Sequence, residues 1–156
     1  MHPKQEKLIH KYAAHFHENY KMGPLQAQIF SYVLIIGKKQ GVTFDDILQY
    51  TKASKSSVSI NINCLLDKKS IFYINKPKDR KKYFLPNKLS SVLERTEFII
   101  KKDIELLYEM IDYYEEIKVI DNENDFKHIN NMRLFKDHLE KIEKSLVETL
   151  KKFEKY

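Results

Sequence analysis

Apolar side chains recur at helical spacing along most of this chain, and the first repeat covers residues 4–20. Leu8, Ile9, Tyr12, Ala13 and Phe16 share one face there, which predicts an amphipathic helix. Gly23-Pro24 breaks the repeat and starts another, because a helix accepts proline in its first turn. The stretch from Leu25 to Ile36 is apolar on most sides (Ala27, Ile29, Phe30, Val33, Leu34, Ile36), so it is expected at the centre of a domain, with Gly37 and Gly41 bracketing its exit. Thr43 then opens a short helix as N-cap, with Asp45 and Asp46 in the first turn, where free N–H groups and the helix dipole favour carboxylates. Ile47 and Leu48 face inward.

After the turn YTKA, Ser54 caps the next helix, whose buried stripe is Val58, Ile62, Leu65 and Leu66. Residues 71–75 and 82–85 are rich in β-branched and aromatic types and flank the polar turn KPKDRK, which predicts a hairpin, with Pro77 in the turn. Two short helices joined by a tight turn, followed by a basic hairpin, make a winged helix-turn-helix. From Leu93 the apolar positions run Leu93, Ile100, Ile104, Leu107, Ile111 and Tyr114. After the polar break DNENDF they resume at Met132, Phe135, Leu139, Ile142, Leu146, Leu150 and Phe153. Spacings of three and four predict two long helices with a helix–helix seam. A second subunit would cover that seam, and an intramolecular hairpin would cover part of it.

The expected fold is therefore mainly α with a small β wing. Residues 1–22 form an N-terminal helix that is a candidate part of the dimer interface, 23–88 the winged helix-turn-helix DNA-binding domain, and 89–156 a long helical dimerisation region.

Charge sharpens this division. Through Lys88 there are 16 Lys+Arg against 6 Asp+Glu, a net +10; from Leu89 onward 12 stand against 16, a net −4. A basic half suits a polyanion and an acidic half does not. No apolar run approaches the roughly 18 residues of a membrane span, and the start MHPKQEKL lacks a signal peptide's apolar stretch, so no membrane partner and a cytoplasmic location are expected. The lone Cys64 agrees with a reducing compartment.

The direction opposite the buried stripe of the second helix falls near Ser56, Ile60 and Asn63, with Ser57, Ser59 and Asn61 on the flanks. Asparagine can hold adenine bidentately, serine is permissive, and an exposed isoleucine meets thymine methyls. Ser56, Ser57, Ile60 and Asn63 are therefore the expected base readers. Lys55, Ser59, Asn61, Lys76, Lys78, Lys81 and Lys82 are expected on the phosphate backbone. Asp79 beside Arg80 has a mechanical rationale: the carboxylate orients a guanidinium that enters the minor groove.

Ser54 through Leu85 resembles the DNA-binding core of MarR-type transcriptional regulators, whose recognition helix commonly runs S-x-x-S-V-S-x-x-L-x-x-L and is followed by a basic wing with D-R. The segments GPLQAQIFSYVLI at 23–35 and DRKKYF at 79–84 are similar in particular to the GbsR-like branch. Two departures stand out: Ile60 occupies a position that is often arginine, and Ser70 one that is usually glycine. The resemblance implies a homodimer on a pseudo-palindromic operator in double-stranded DNA, often a repressor that answers to a small-molecule effector. A choline-type ligand is one implied effector. Phe98, Tyr108, Tyr113, Tyr114 and Phe126 supply aromatic faces for a quaternary ammonium or, the commoner role, pack the core. No effector-binding residues are assigned.

An enzyme is not expected. The six histidines, His10, His15 and His17 among them, show no HExxH, and there is no cysteine pair, phosphate loop or nucleophile elbow. Neither a metal nor a cofactor is anticipated. Cys64 reads as a structural thiol or an oxidation sensor without a resolving partner. The contrasting reading is a winged-helix module that binds protein or RNA without specific DNA recognition.

Overall fold

The computed structural model describes residues 1–116 and 123–153, and these fall into two compact units divided between Asn87 and Lys88. The first unit begins with α1 (Pro3–Tyr20), whose N-terminus is closed by a capping box: His2 Nδ1 accepts from Lys4 N–H and the Gln5 side chain accepts from His2 N–H. Ile9 is fully buried and Phe16 packs on Phe30 with ring centroids 4.7 Å apart, so α1 lies against α2 (Pro24–Ile36). Leu8 and Tyr12 of the expected apolar face remain about two-fifths exposed.

The core is built around α2, as its all-round apolar pattern demands. Ile29 and Val33 meet Ile47 of α3 (Phe44–Thr51) and Val58, Ile62 and Leu65 of α4 (Lys55–Asp67); Ile71 and Phe84 close it from the sheet. Thr43 caps α3 reciprocally, its Oγ1 accepting from Asp46 N–H at 3.2 Å while Asp46 Oδ2 accepts from Thr43 N–H at 2.8 Å. The structure thus bears out the mainly α architecture with a small β wing.

One strand is additional to the hairpin. β1 (Val42–Thr43) pairs antiparallel with β3 (Lys82–Pro86), which pairs with β2 (Ile71–Asn75), giving the order β1-β3-β2. Two residues are too few to leave an alternating pattern, so β1 exists only through its long-range partner. Gly41 makes that approach feasible: its φ is +75°, and a Cβ there would lie 2.8 Å from Tyr83 Cβ.

The end of α4 shows how the turn into the wing closes with serine at position 70. The left-handed residue is Lys69 (φ 52°), and Ser70 N–H donates to Leu65 C=O at 2.9 Å while Lys69 N–H donates to Leu66 C=O at 2.8 Å. This Schellman closure puts the conformational demand on residue 69, so Ser70 needs no glycine.

The second unit pairs α5 (Leu89–Glu116) with α6 (Glu123–Phe153). The predicted break at 121–126 falls partly outside the described residues, and from Glu123 onward it is already helix. Ile104, Ile111, Met132 and Leu139 are buried, so the intramolecular pairing covers part of the seam. Phe135 and Phe153, also placed in the seam, are instead about half exposed, and Ile129 is buried one turn before the expected restart. Among the described residues, no helix is long and apolar enough to cross a membrane.

Candidate nucleic-acid interface

The site is built on α4 and the hairpin beside it. Ser54 has extended backbone and its Oγ accepts from Ser57 N–H at 3.2 Å, which satisfies one of the donors left free at a helix start. The same oxygen lies 2.8 Å from Ser57 Oγ and 3.1 Å from Ser56 Oγ, so three hydroxyls gather at this end. Burial of Val58, Ile62 and Leu65 against α2 and α3 turns Lys55, Ser56, Ser59, Ile60 and Asn63 outward, with Ile60 68% exposed. Ser57 is half-buried on the flank.

Asn61 does something other than wait for a ligand. Its Nδ2 donates to Ser57 C=O at 2.8 Å, bonding back onto its own helix. This local bond accounts for an asparagine that helix propensity disfavours, whereas Asn63 is exposed. Cys64 is half-buried and accepts from Gln26 Nε2 at 3.1 Å, which anchors the inner side of α4 to α2.

The wing projects Lys78, Arg80, Lys81 and Lys82 into solvent, with Lys76 half-buried. Asp79 does not hold Arg80. Its Oδ1 accepts from Lys81 N–H at 2.9 Å and its Oδ2 from the Tyr83 hydroxyl at 2.6 Å, so the carboxylate braces the turn instead of orienting the guanidinium. The tight spacing of residues 79–83 around a turn with Lys78 left-handed (φ 62°) explains this choice. The Tyr83 hydroxyl, then the Lys81 N–H, hold Asp79 below the ordinary carboxylate value, and the Asp79 carboxylate pushes Tyr83 above its own.

Two lysines rest on tyrosine faces across the hairpin. Lys76 Nζ sits 3.7 Å from the Tyr83 ring centroid and Lys82 Nζ 4.2 Å from that of Tyr73. Residues 75 and 82 are cross-strand partners, so both pairs are diagonal neighbours within reach of long side chains. The tyrosines orient the ammonium groups while leaving their charge intact. Sequence reasoning overlooked Tyr73 and Tyr83; their signal was the lysine two residues from each one's cross-strand partner, on the side of the turn. Lys81 Nζ also lies 3.5 Å from Asp45 Oδ2, linking wing to α3 through an exposed ion pair worth at most about 1 kcal/mol, weak enough to exchange for a phosphate.

The aromatic set considered for an effector does not form a box among the described residues. Only Tyr113 and Tyr114 touch as rings, at 5.7 Å, and the Tyr108 face is occupied by Lys136 Nζ at 4.3 Å. Phe98 and Phe126 are more than half exposed. No cluster of three or more metal-ligating side chains occurs among the described residues.

The fold is shared with solved proteins. A crystal structure of a transcriptional regulator superposes with a TM-score of 0.71, covering 99% of this chain and 100% of that one at 13% sequence identity. A mutant of MepR from S. aureus matches 88% of this chain and 89% of its own at 21% identity, with a TM-score of 0.43. At such identities the first likeness speaks to the fold alone. No protein-family model matches the chain, and the search of curated proteins finds no match.

Proposed function

We propose that this chain is a sequence-specific regulator of transcription that binds double-stranded DNA as a homodimer on a pseudo-palindromic operator, as a MarR-type repressor of the GbsR-like branch in the cytoplasm. The observation that carries the reading is the outward face of α4, where Ser56, Ile60 and Asn63 stand exposed beside the cationic wing while the opposite side is locked into the core. In this assignment α4 enters the major groove, with Ser57 on the flank of its base-reading face. Lys55, Ser59 and the wing lysines hold phosphates, and Arg80 reaches the minor groove from the turn that Asp79 braces. Asn61, bonded to its own helix, contributes by shaping the helix surface.

The homodimer is supported by the second unit, where Phe98, Leu106, Phe126, Leu134 and Phe135 are all more than half exposed. Large apolar side chains left exposed on a two-helix unit offer hydrocarbon that a second copy would cover. The two reading helices must lie about 34 Å apart to enter successive major grooves. An effector bound near the dimer helices would act by changing that spacing.

A mobility-shift titration across salt tests the reading, comparing duplex from upstream of the chain's own gene with a scrambled duplex. The specific complex is expected to weaken steeply with salt, with a log–log slope of about −0.9 per phosphate contacted. Indistinguishable binding to both duplexes at every salt concentration would refute sequence-specific regulation. It would favour the second reading, a protein- or RNA-binding module, for which the edge strand β2 offers exposed Phe72, Tyr73 and Ile74.

A further inference from the structure

On a helix turning 100° per residue, Ser56, Ile60, Asn63 and Asp67 fall within an arc of about 60°. These residues are exposed, whereas Lys55 lies about 100° away from Ser56 at the first helical position. The arc that faces away from the core thus holds a hydroxyl, a branched hydrocarbon, an amide and, at its far end, a carboxylate. It holds no cation.

That composition restricts what the helix can read. Guanine is recognised in the major groove chiefly by arginine or lysine on its O6 and N7, and arginines stand in this chain only at Arg80 on the wing and at Arg95 and Arg133 in the second unit. The Asp67 carboxylate repels phosphates, so the usable face ends at Asn63. A singly exposed isoleucine is ordinary on a protein surface. Ile60 is informative because of its neighbours: its side chain is free of the core, and the polar groups around it are neutral.

We propose that α4 reads an A·T half-site through a thymine methyl seated on Ile60 and an adenine held by Asn63. Three residues advance a helix by about 4.5 Å, between one and two base-pair steps of 3.4 Å, so the two side chains address neighbouring base pairs. The thymine C5-methyl is the apolar feature of the major groove, and burying it on the isoleucine removes hydrocarbon of both partners from water. Asn63 presents an amide acceptor to adenine N6 and an amide donor to N7. Asn61 is excluded from this role because its Nδ2 is bonded to Ser57 C=O.

This inference rests on the DNA-binding reading and is tested separately from it. The full-length chain is used to select duplexes from a random library, and the enriched site is then made with deoxyuridine in place of single thymidines, which removes only the methyl. The expected result is an enriched half-site with adjacent T and A, and one position where deoxyuridine weakens wild-type binding about four-fold, the worth of one buried methyl. The Ile60→Ala protein, altered at an exposed position, should bind more weakly and be indifferent to that replacement. Enrichment of G·C pairs at the reading positions would overturn the inference and leave specific DNA binding standing. A·T enrichment without methyl dependence would also overturn it, because the readout would then be of DNA shape. No enrichment at all would overturn the inference together with the DNA-binding reading.

Discussion

Ser54 serves both the folding of α4 and, in the proposed function, its approach to DNA, and two substitutions pull these roles apart. Ser54→Ala removes the oxygen that accepts Ser57 N–H at 3.2 Å and unites the hydroxyls of Ser56 and Ser57. The cap is exposed, so water replaces the lost partner and the cost sits near the middle of the N-cap range, about 1 kcal/mol. For a unit the size of Met1–Asn87 that lowers Tm by about 5 °C. Ser54→Asp restores an acceptor of equal capping rank and adds a favourable charge at the helix N-terminus, so its Tm should match or exceed wild type. Yet the same carboxylate would face phosphates. Affinity for duplex DNA at low salt should fall about ten-fold or more, with the gap narrowing as salt rises. Thermal denaturation by circular dichroism gives the first quantity and fluorescence anisotropy with labelled duplex the second. An unchanged Tm for Ser54→Ala would refute the cap energetics, and wild-type affinity in a folded Ser54→Asp would refute the approach of this helix end to the backbone.

Other consequences are as specific. Because Asp79 is held below its ordinary 3.8, the wing turn should be fully braced above that pH and lose its brace as pH falls through the lowered value, whereas the raised Tyr83 keeps its proton past its ordinary 10.0. NMR titration of the Tyr83 ring measures this, and a transition at or above 3.8 would contradict it. Arg80→Ala and Lys82→Ala should weaken binding on most duplexes, and Asn63→Ala should alter preference at one base pair, each by about 1 to 3 kcal/mol; uniform loss for Asn63→Ala would argue against base reading. Leu134→Glu, at a position 70% exposed, should convert the proposed dimer to monomer in light scattering while helicity by circular dichroism stays intact. Gly41→Ala forces a side chain into a left-handed residue 2.8 Å from Tyr83 Cβ, so it should destabilise the unit by about 1 to 3 kcal/mol in chemical denaturation.

What the sequence disclosed and what it hid follow from the range of the interactions involved. Thr43 and Ser54 were legible as caps because capping is settled within three residues, and Gly23-Pro24 marked the start of α2 for the same reason. The buried stripe of α4 was legible through its period, and so was the outward placement of Ser56, Ile60 and Asn63. The third strand was not, since Val42 and Thr43 become a strand only by meeting Phe84 and Tyr83 some forty residues later. Nor did a list of cations reveal how the wing is organised: Asp79 chose the Tyr83 hydroxyl over the adjacent Arg80, and Lys76 and Lys82 found tyrosines across the hairpin. These pairings explain how a short basic turn keeps a defined shape. Its charges are mounted on a tyrosine–aspartate frame, so removing Asp79 or Tyr83 should cost order, and removing Arg80 should cost, in the proposed function, only contact with DNA. The same contrast separates Asn61 from Asn63, identical in type and two residues apart. One is held by its own helix and the other is exposed, and in the proposed function only the exposed one discriminates between sequences.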